Sequence, residues 1–317
     1  MKKQKLGNTE IEVSEVAFGG VEIGVPYGIG VKSEADMLGD SDAIRLLHSA
    51  ADEGINFFDT ARLYGESERI MGEAFHDRRQ DIALATKCRH LRKPDGKLIA
   101  RVGLDRYIRD SLTESLTMLQ TDYIDLYMVH YADMEILEIE EVAAVFTRLK
   151  EKGVVRAIGV SVYKPEETKR AISNGIWDAI QLPFNLMDQS HGVCFGEAYQ
   201  QGVGVIVRSV LMRGMLTDRS GTMHSALAGV EKHIAQYRGL AKEGYTGLSQ
   251  LATRFALAHE AVSSVLVGID KQQYLLDAVD AMRGSKMDNG LRQRLQQLAY
   301  PDPSFLNLAQ WDKNGWI

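Results

Sequence analysis

Four side chains in the first half of the chain carry groups that hold or move protons, and their placement is regular. The apolar run Ile55-Asn56-Phe57-Phe58 leads into Asp59, and Tyr64 follows five residues later. The run Ile82–Thr86 ends in Lys87, and Tyr123–Val129 ends in His130. A tyrosine hydroxyl, with an ordinary pKa near 10, is a poor proton donor. At an effective dielectric of about 20, an ammonium about 4 Å away favours the phenolate by roughly 4 kcal/mol, or two to three pKa units. A carboxylate beside that ammonium keeps it charged in a dry site. Read singly, each residue has a structural role: Asp59 ahead of Thr60-Ala61 as a helix cap, Asp59 and Lys87 as an ion pair, Tyr64 and His130 as satisfied strand-end groups. Together, at the ends of successive strands, they read as a proton-transfer site, because polar residues at the carboxyl ends of parallel barrel strands are catalytic rather than structural.

The elements that must position them are short apolar runs alternating with helical patterns. Strands are expected near 15–20, 55–59, 82–87, 123–130, 154–160, 178–182, 204–208 and 264–268. The clearest amphipathic stretch is 104–119, where Leu104, Tyr107, Ile108, Leu112, Leu116 and Leu119 share one helical face. Further helices are expected over 42–53, 66–76, 138–152, 165–174, 190–202, 248–260 and 271–283. Strand interiors without polar alternation fit a parallel sheet covered on both faces. Closed on itself, that sheet is a (β/α)₈ barrel. The alternative, an open doubly wound sheet, calls for a glycine-rich phosphate fingerprint after an early strand, and no GxGxxG occurs. Residues 5–13 read as a hairpin ahead of the first barrel strand, with Gly7-Asn8 as its turn. The long loops 20–40 and 209–245 fall on the catalytic face, where loops of that length are usually functional.

The bulk properties narrow the field. The 317 residues are 45% hydrophobic and 25% charged, and no linker divides them, so residues 1–317 are expected to form a single domain. A net charge of −6 lacks the basic footprint that nucleic-acid or anionic-membrane binding needs. No stretch approaches the roughly eighteen apolar residues of a membrane span. The basic start Met1–Leu6 leads into no apolar segment of a secretory signal. Two cysteines, Cys88 and Cys194, offer neither a disulfide framework nor a zinc spacing, and no metal is expected. A cytoplasmic protein is expected, with its oligomeric state open.

The combination Asp59, Tyr64, Lys87 and His130 resembles the catalytic tetrad of the aldo-keto reductases. The resemblance covers essentially the whole chain. The segment 111–127, Ser111-Leu112-Thr113-Glu114-Ser115-Leu116 followed by Leu119–Tyr127, is similar to that family's strand-four signature. The resemblance implies a barrel whose bottom is closed by the N-terminal hairpin. It also implies reversible, nicotinamide-dependent reduction of a small-molecule aldehyde or ketone. Tyr64 would then be the general acid, Lys87 its pKa depressor, Asp59 the counter-ion, and His130 the donor that orients the carbonyl oxygen.

The cofactor residues follow from the same resemblance, with departures. Ser161 matches a serine that holds the nicotinamide carboxamide, while Val162 stands where the family has Asn; Gln181 matches a glutamine on the same group. Arg208 occupies the position of an aromatic that stacks on the nicotinamide, a role a planar guanidinium can fill. Ser209, Leu211, Gly214 and Leu216 resemble the segment that wraps the pyrophosphate. Around Gly268, Asp270 and Lys271 stand where the family meets the adenosine 2′-phosphate; Asp277 replaces the adenine-binding Glu, and Ala278 replaces an Asn. The family implies NADP(H), and Asp270 opposing a phosphate dianion makes NAD(H) the alternative.

Two rival functions are set against this one. A cofactor-binding, redox-sensing or regulatory barrel would keep the site with little turnover. An aldolase would use Lys87 as a Schiff-base nucleophile. Tyr27, Arg89, His90 and Arg92 in the pocket loops suit a hydroxylated, sugar-like or acidic carbonyl. The C-terminal tail, with Trp311 and Trp316, is expected either across the barrel mouth or docked on its side.

Overall fold

The computed structural model describes residues 1–317 except 29, 30, 32, 219–222, 284 and 285. Parts of the two long loops, 20–40 and 209–245, therefore lie outside the described residues.

Two short strands, β1 (Lys3–Lys5) and β2 (Glu12–Ser14), form an antiparallel hairpin. Eight parallel strands follow: β3 (Val16–Gly19), β4 (Phe57–Asp59), β5 (Ala83–Lys87), β6 (Ile124–Val129), β7 (Val155–Ser161), β8 (Ala179–Pro183), β9 (Gly204–Arg208) and β10 (Val262–Gly268). Each pairs with its sequence neighbour, and β10 pairs back to β3, so the sheet closes. Helices lie between the strands, and the fold is the expected (β/α)₈ barrel. The register explains the site: Asp59 pairs with Ala85, and Lys87 lies two residues beyond Ala85 on the same face of β5.

The barrel interior mixes Phe57, Leu126, Met128 and Ile206 with five alanines, Ala17, Ala83, Ala85, Ala157 and Ala179, which leave room at its floor. Leu6, Ile11 and Val13 of the hairpin fill that room and are buried there. The hairpin therefore stops the bottom of the barrel with apolar side chains rather than merely covering it. Its turn differs from the expected Gly7-Asn8 pair. The paired strands are shorter, and residues 6–11 connect them, with the Leu6 N–H donating to the Ile11 carbonyl at 2.9 Å. Docking decides this: Leu6 and Ile11 turn into the barrel, and the Asn8 N–H donates to the Gly202 carbonyl at 2.8 Å. Gly7, at φ 56°, lies so close to the Gly202 and Gly204 backbone that no side chain fits.

The expected helix 104–119 is present as Leu104–Met118, and 165–174 as Pro165–Ser173 with proline in its first turn. The stretch 190–202 divides into a 3₁₀ turn, Ser190–Cys194, and a helix, Phe195–Gln201. The loop 209–245 contains a helix, Ala228–Ala241, that was not expected; Val230, Ile234, Tyr237, Leu240 and Ala241 are its buried face. Beyond β10 the chain adds helices Gln272–Asp280, Asn289–Gln297 and Leu308–Lys313. Among the described residues no helix is long and apolar enough to cross a membrane.

Candidate active site

The carboxyl ends of the strands open into a cleft of about 1890 Å³. Asp59 closes β4, Lys87 closes β5, His130 follows the last residue of β6, Ser161 closes β7, and Arg208 closes β9. Tyr64 hangs in the turn after β4, where its N–H donates to the Ala61 carbonyl at 2.9 Å. Thr60 N–H donates to Ala85 O at 2.8 Å, which fixes this turn over β5. Asp59, Tyr64, His130, Ser161, Gln181 and Arg208 all line the cleft.

Lys87 is fully buried behind them. Its ammonium donates to Asp59 Oδ2 and, at 2.9 Å, to the Thr60 carbonyl, and stands 5.0 Å from the centroid of the Tyr64 ring. The Tyr64 and His130 rings meet edge to face, centroids 5.4 Å apart. The four expected residues are therefore one cluster, assembled from three successive strands.

The electrostatics differ from the expectation in one respect. Burial, then the Asp59 charge, push the Tyr64 hydroxyl well above its ordinary range. Lys87 does not reverse this, because its ammonium is spent on Asp59 and faces the tyrosine ring. The cation that acts in the opposite direction is Arg208. Burial lowers Lys87 as well, against the pull of Asp59. Burial, Lys87, His90 and Arg208 together hold His130 well below the usual histidine range, so its imidazole is neutral at pH 7. Its Nδ1 is buried and without a hydrogen-bond partner.

The expected cofactor residues are mostly in the cleft wall. Ser209, Leu211, Gly214, Gly268, Asp270, Lys271 and Asp277 line it with Ser161, Gln181 and Arg208; Leu216 is fully buried and does not. Gln181 turns its amide onto the tetrad, Nε2 donating to Asp59 Oδ1 at 2.8 Å. Arg208 lies over the Tyr163 ring at 4.2 Å and donates to the Val162 carbonyl at 2.9 Å. So where the family has an asparagine side chain, residue 162 contributes a backbone oxygen that steers Arg208. The segment expected to wrap the pyrophosphate is held in left-handed backbone at several positions: Ser209, Met212 and Arg213 have φ of 59°, 47° and 54°, and Gly214 99°. Strain of this kind concentrates at ligand clamps.

Several cleft residues escaped the sequence reading. Arg213 reaches Asp312 at 3.2 Å and lies 4.8 Å from the Tyr27 ring centroid, joining the first loop and the C-terminal helix over the cleft. The tail does both things expected of it: Trp311 is buried in the core, while Trp316 lines the cleft and stacks on His224. Glu22 also lines the cleft, and its Oε2 is sealed from solvent without a partner. Its signal in the sequence was its isolation, as the one charged residue from Val16 to Val31.

The structure is thus a parallel eight-stranded barrel, plugged below, with Asp59, Lys87 and His130 at the tops of its strands and Tyr64 in the turn after β4. The Aldo/keto reductase family model matches residues 18–296, and the chain belongs to that family. It is similar to the uncharacterized oxidoreductase YqkF of Bacillus subtilis, 30% identical over 90% of this chain and 93% of that protein. The NADH-specific methylglyoxal reductase of Escherichia coli is 32% identical over 68% of this chain and 69% of its own. Among solved structures, the aldo-keto reductase AKR11C1 of Bacillus halodurans in its holo form superimposes with a TM-score of 0.80 at 30% identity, over 95% of this chain and 97% of that one. Family membership makes the chain an oxidoreductase of small carbonyl compounds, and the family in general uses NAD(P)H.

Proposed function

We propose that this chain reversibly reduces an aldehyde or ketone to an alcohol, with hydride from a nicotinamide dinucleotide and a proton from Tyr64. The observation that carries the reading is the convergence of Tyr64 and His130 on one cleft wall with the Lys87–Asp59 pair buried behind them. Three features fit a dinucleotide in the cleft: its length from Arg208 to Asp277, the left-handed segment 209–214, and the partnerless Glu22 Oε2. When bound, that cofactor supplies the hydride.

The chain's own residues supply the rest. Neutral His130 has one N–H to give and orients the carbonyl oxygen toward Tyr64. Tyr64 keeps its proton through the physiological range and releases it only as negative charge grows on the substrate oxygen. An alkoxide is a stronger base than a phenolate, so the transfer runs downhill even from a raised tyrosine. The phenolate that remains is stabilised by Arg208, the cation that opposes the rise of Tyr64.

We place a hydroxylated, sugar-like carbonyl as substrate. Around Tyr64 and His130 the wall is polar and aromatic, with His90, Tyr163, Asn185 and Ser190. Relatives of similar length include an L-galactose dehydrogenase of Arabidopsis thaliana, 30% identical over 87% of this chain. We read NADP(H) as the cofactor, with NAD(H) the alternative raised by Asp270, and the cytoplasm as location. The test is a fluorescence titration with NADPH and NADH, followed by an aldehyde and ketone panel with the tighter cofactor. Cofactor binding without oxidation on any carbonyl would refute the enzyme and leave a sensor.

A further inference from the structure

We propose that Glu22, in its protonated form, donates a hydrogen bond to a phosphate oxygen of the bound dinucleotide, so that cofactor binding is lost as pH rises. The inference rests on the dinucleotide reading of the cleft and adds a ligand contact that the tetrad and the wrapping segment do not contain.

The geometry comes first. Glu22 projects from the loop after β3 toward the end of β10, where its Oε1 lies against the Gly268 backbone. A side chain at 268 would displace that carboxyl from its present position. The outer oxygen, Oε2, is closed off from solvent and has no hydrogen-bond partner, and Glu22 lines the cleft. A buried carboxyl oxygen left without a partner is costly, and a ligand atom that satisfies it recovers the loss.

The charges decide which form Glu22 takes. Ionisable groups on neighbouring strand ends of the cleft are Asp270 and Lys271 beyond β10, Asp59 at the end of β4 and Tyr64 in the turn after it. Asp59 is committed to Lys87 and Gln181, and the Lys271 ammonium lies 5.6 Å from the Tyr274 ring centroid. Among the described residues no cation is paired with Glu22. Burial pushes its carboxyl up to about 8, its own backbone N–H opposes, and Asp270 adds to the rise. At pH 7 it is therefore a neutral acid with one O–H to donate. Phosphate oxygens only accept, so they suit a protonated carboxyl and repel an ionised one. An anion seated there raises the carboxyl further, and binding retains the proton.

The sign follows. Below pH 7 Glu22 is protonated with or without ligand, and affinity is flat. As pH rises through about 8 the free protein loses the proton that the complex keeps, and affinity falls, with a limiting slope of about tenfold per pH unit. His90 and His130, beside Tyr64 in the cleft, are held below the usual histidine range and do not titrate in that window. Cys88 is pushed up to about 12.

The experiment titrates intrinsic fluorescence with NADH, and in parallel with NADPH, from pH 6.5 to 9.5. Wild type is expected to weaken above pH 8 by similar factors for both cofactors. Glu22→Gln, which keeps an N–H donor but cannot ionise, should bind with one affinity across the range, close to wild type at pH 7. Glu22→Ala should be pH-independent and weaker at pH 7 by about tenfold, the worth of one hydrogen bond to a charged acceptor. A wild-type affinity that is flat, or that rises with pH as it would if ionised Glu22 accepted from a ribose hydroxyl, overturns the inference while leaving the carbonyl reductase intact. So does an equal fall in Glu22→Gln. No dinucleotide binding at any pH overturns both.

Discussion

Gln181 on β8 donates from Nε2 to Oδ1 of Asp59 on β4, 2.8 Å across the barrel, while Lys87 holds the other carboxylate oxygen. Asp59 is thereby shared between the proton-transfer cluster and a residue expected at the cofactor. Gln181→Leu removes that donor and leaves Oδ1 buried. We expect a loss of about 1–3 kcal/mol, the cost of an unsatisfied buried acceptor. Thermal unfolding reads it, and an unchanged midpoint would show that the bond contributes nothing.

Tyr64→Phe removes the proposed proton donor with little change in volume. Cofactor affinity should be nearly unchanged and turnover lower by about 10²–10⁴, the usual share of a general acid. Steady-state rates and a cofactor titration on the same preparation decide it; turnover within a few-fold of wild type ends the assignment.

Lys87→Met leaves Asp59 buried without its cation. Breaking such a pair typically costs about 3–5 kcal/mol, and turnover should fall with it because the Asp59 charge, no longer neutralised, pushes Tyr64 further up. Denaturant unfolding gives the first effect and single-turnover kinetics the second. A variant of normal stability and rate would show that the pair is dispensable.

Asp270 and Lys271 lie together at the cleft beyond β10. If the adenosine 2′-phosphate is seated there, Asp270→Ser should tighten NADPH by about tenfold, since 1.4 kcal/mol of relieved repulsion is one decade. Lys271→Ala should weaken NADPH, and neither should alter NADH. Equal shifts for both cofactors would place the phosphate elsewhere. This pattern differs from that of Glu22, which acts on both cofactors alike.

Stability should also depend on pH through four histidines that their surroundings hold low. His90, His130, His191 and His259 are all lowered from 6.5, chiefly by burial. Below 6.5 the unfolded chain takes up protons that the folded chain refuses, so stability is lost as pH falls. His130→Gln should flatten part of that acid limb. Urea unfolding at pH 5 and 7 measures it, and an unchanged difference between the two would exclude His130 as a contributor.

Much of the barrel was legible in the residues because its signals are local. A run without polar alternation says that both faces of a strand are covered, and a terminal Asp, Lys or His says where the strand meets a site. The strands carrying Asp59, Lys87 and His130 therefore lay where the runs indicated, within a residue or two at each end. The missed helix Ala228–Ala241 did carry a helical spacing, Val230, Ile234, Tyr237 and Ala241, but three glycines interrupt the segment 221–239 and masked it.

What the sequence by itself determined was the type of each strand end and the order in which they come. The tertiary structure decided their partners. The hairpin connection of residues 6–11 follows from Leu6 and Ile11 finding space among the barrel alanines, not from the turn preference of Gly7-Asn8. Gln181 reaches Asp59 from 122 residues away, and Arg208 rests on Tyr163 because the Val162 carbonyl holds it. The direction of Tyr64, upward despite a neighbouring lysine, is a sum over burial and charges from separate strands. Such sums depend on distances through space, which residue type and spacing along the chain do not contain.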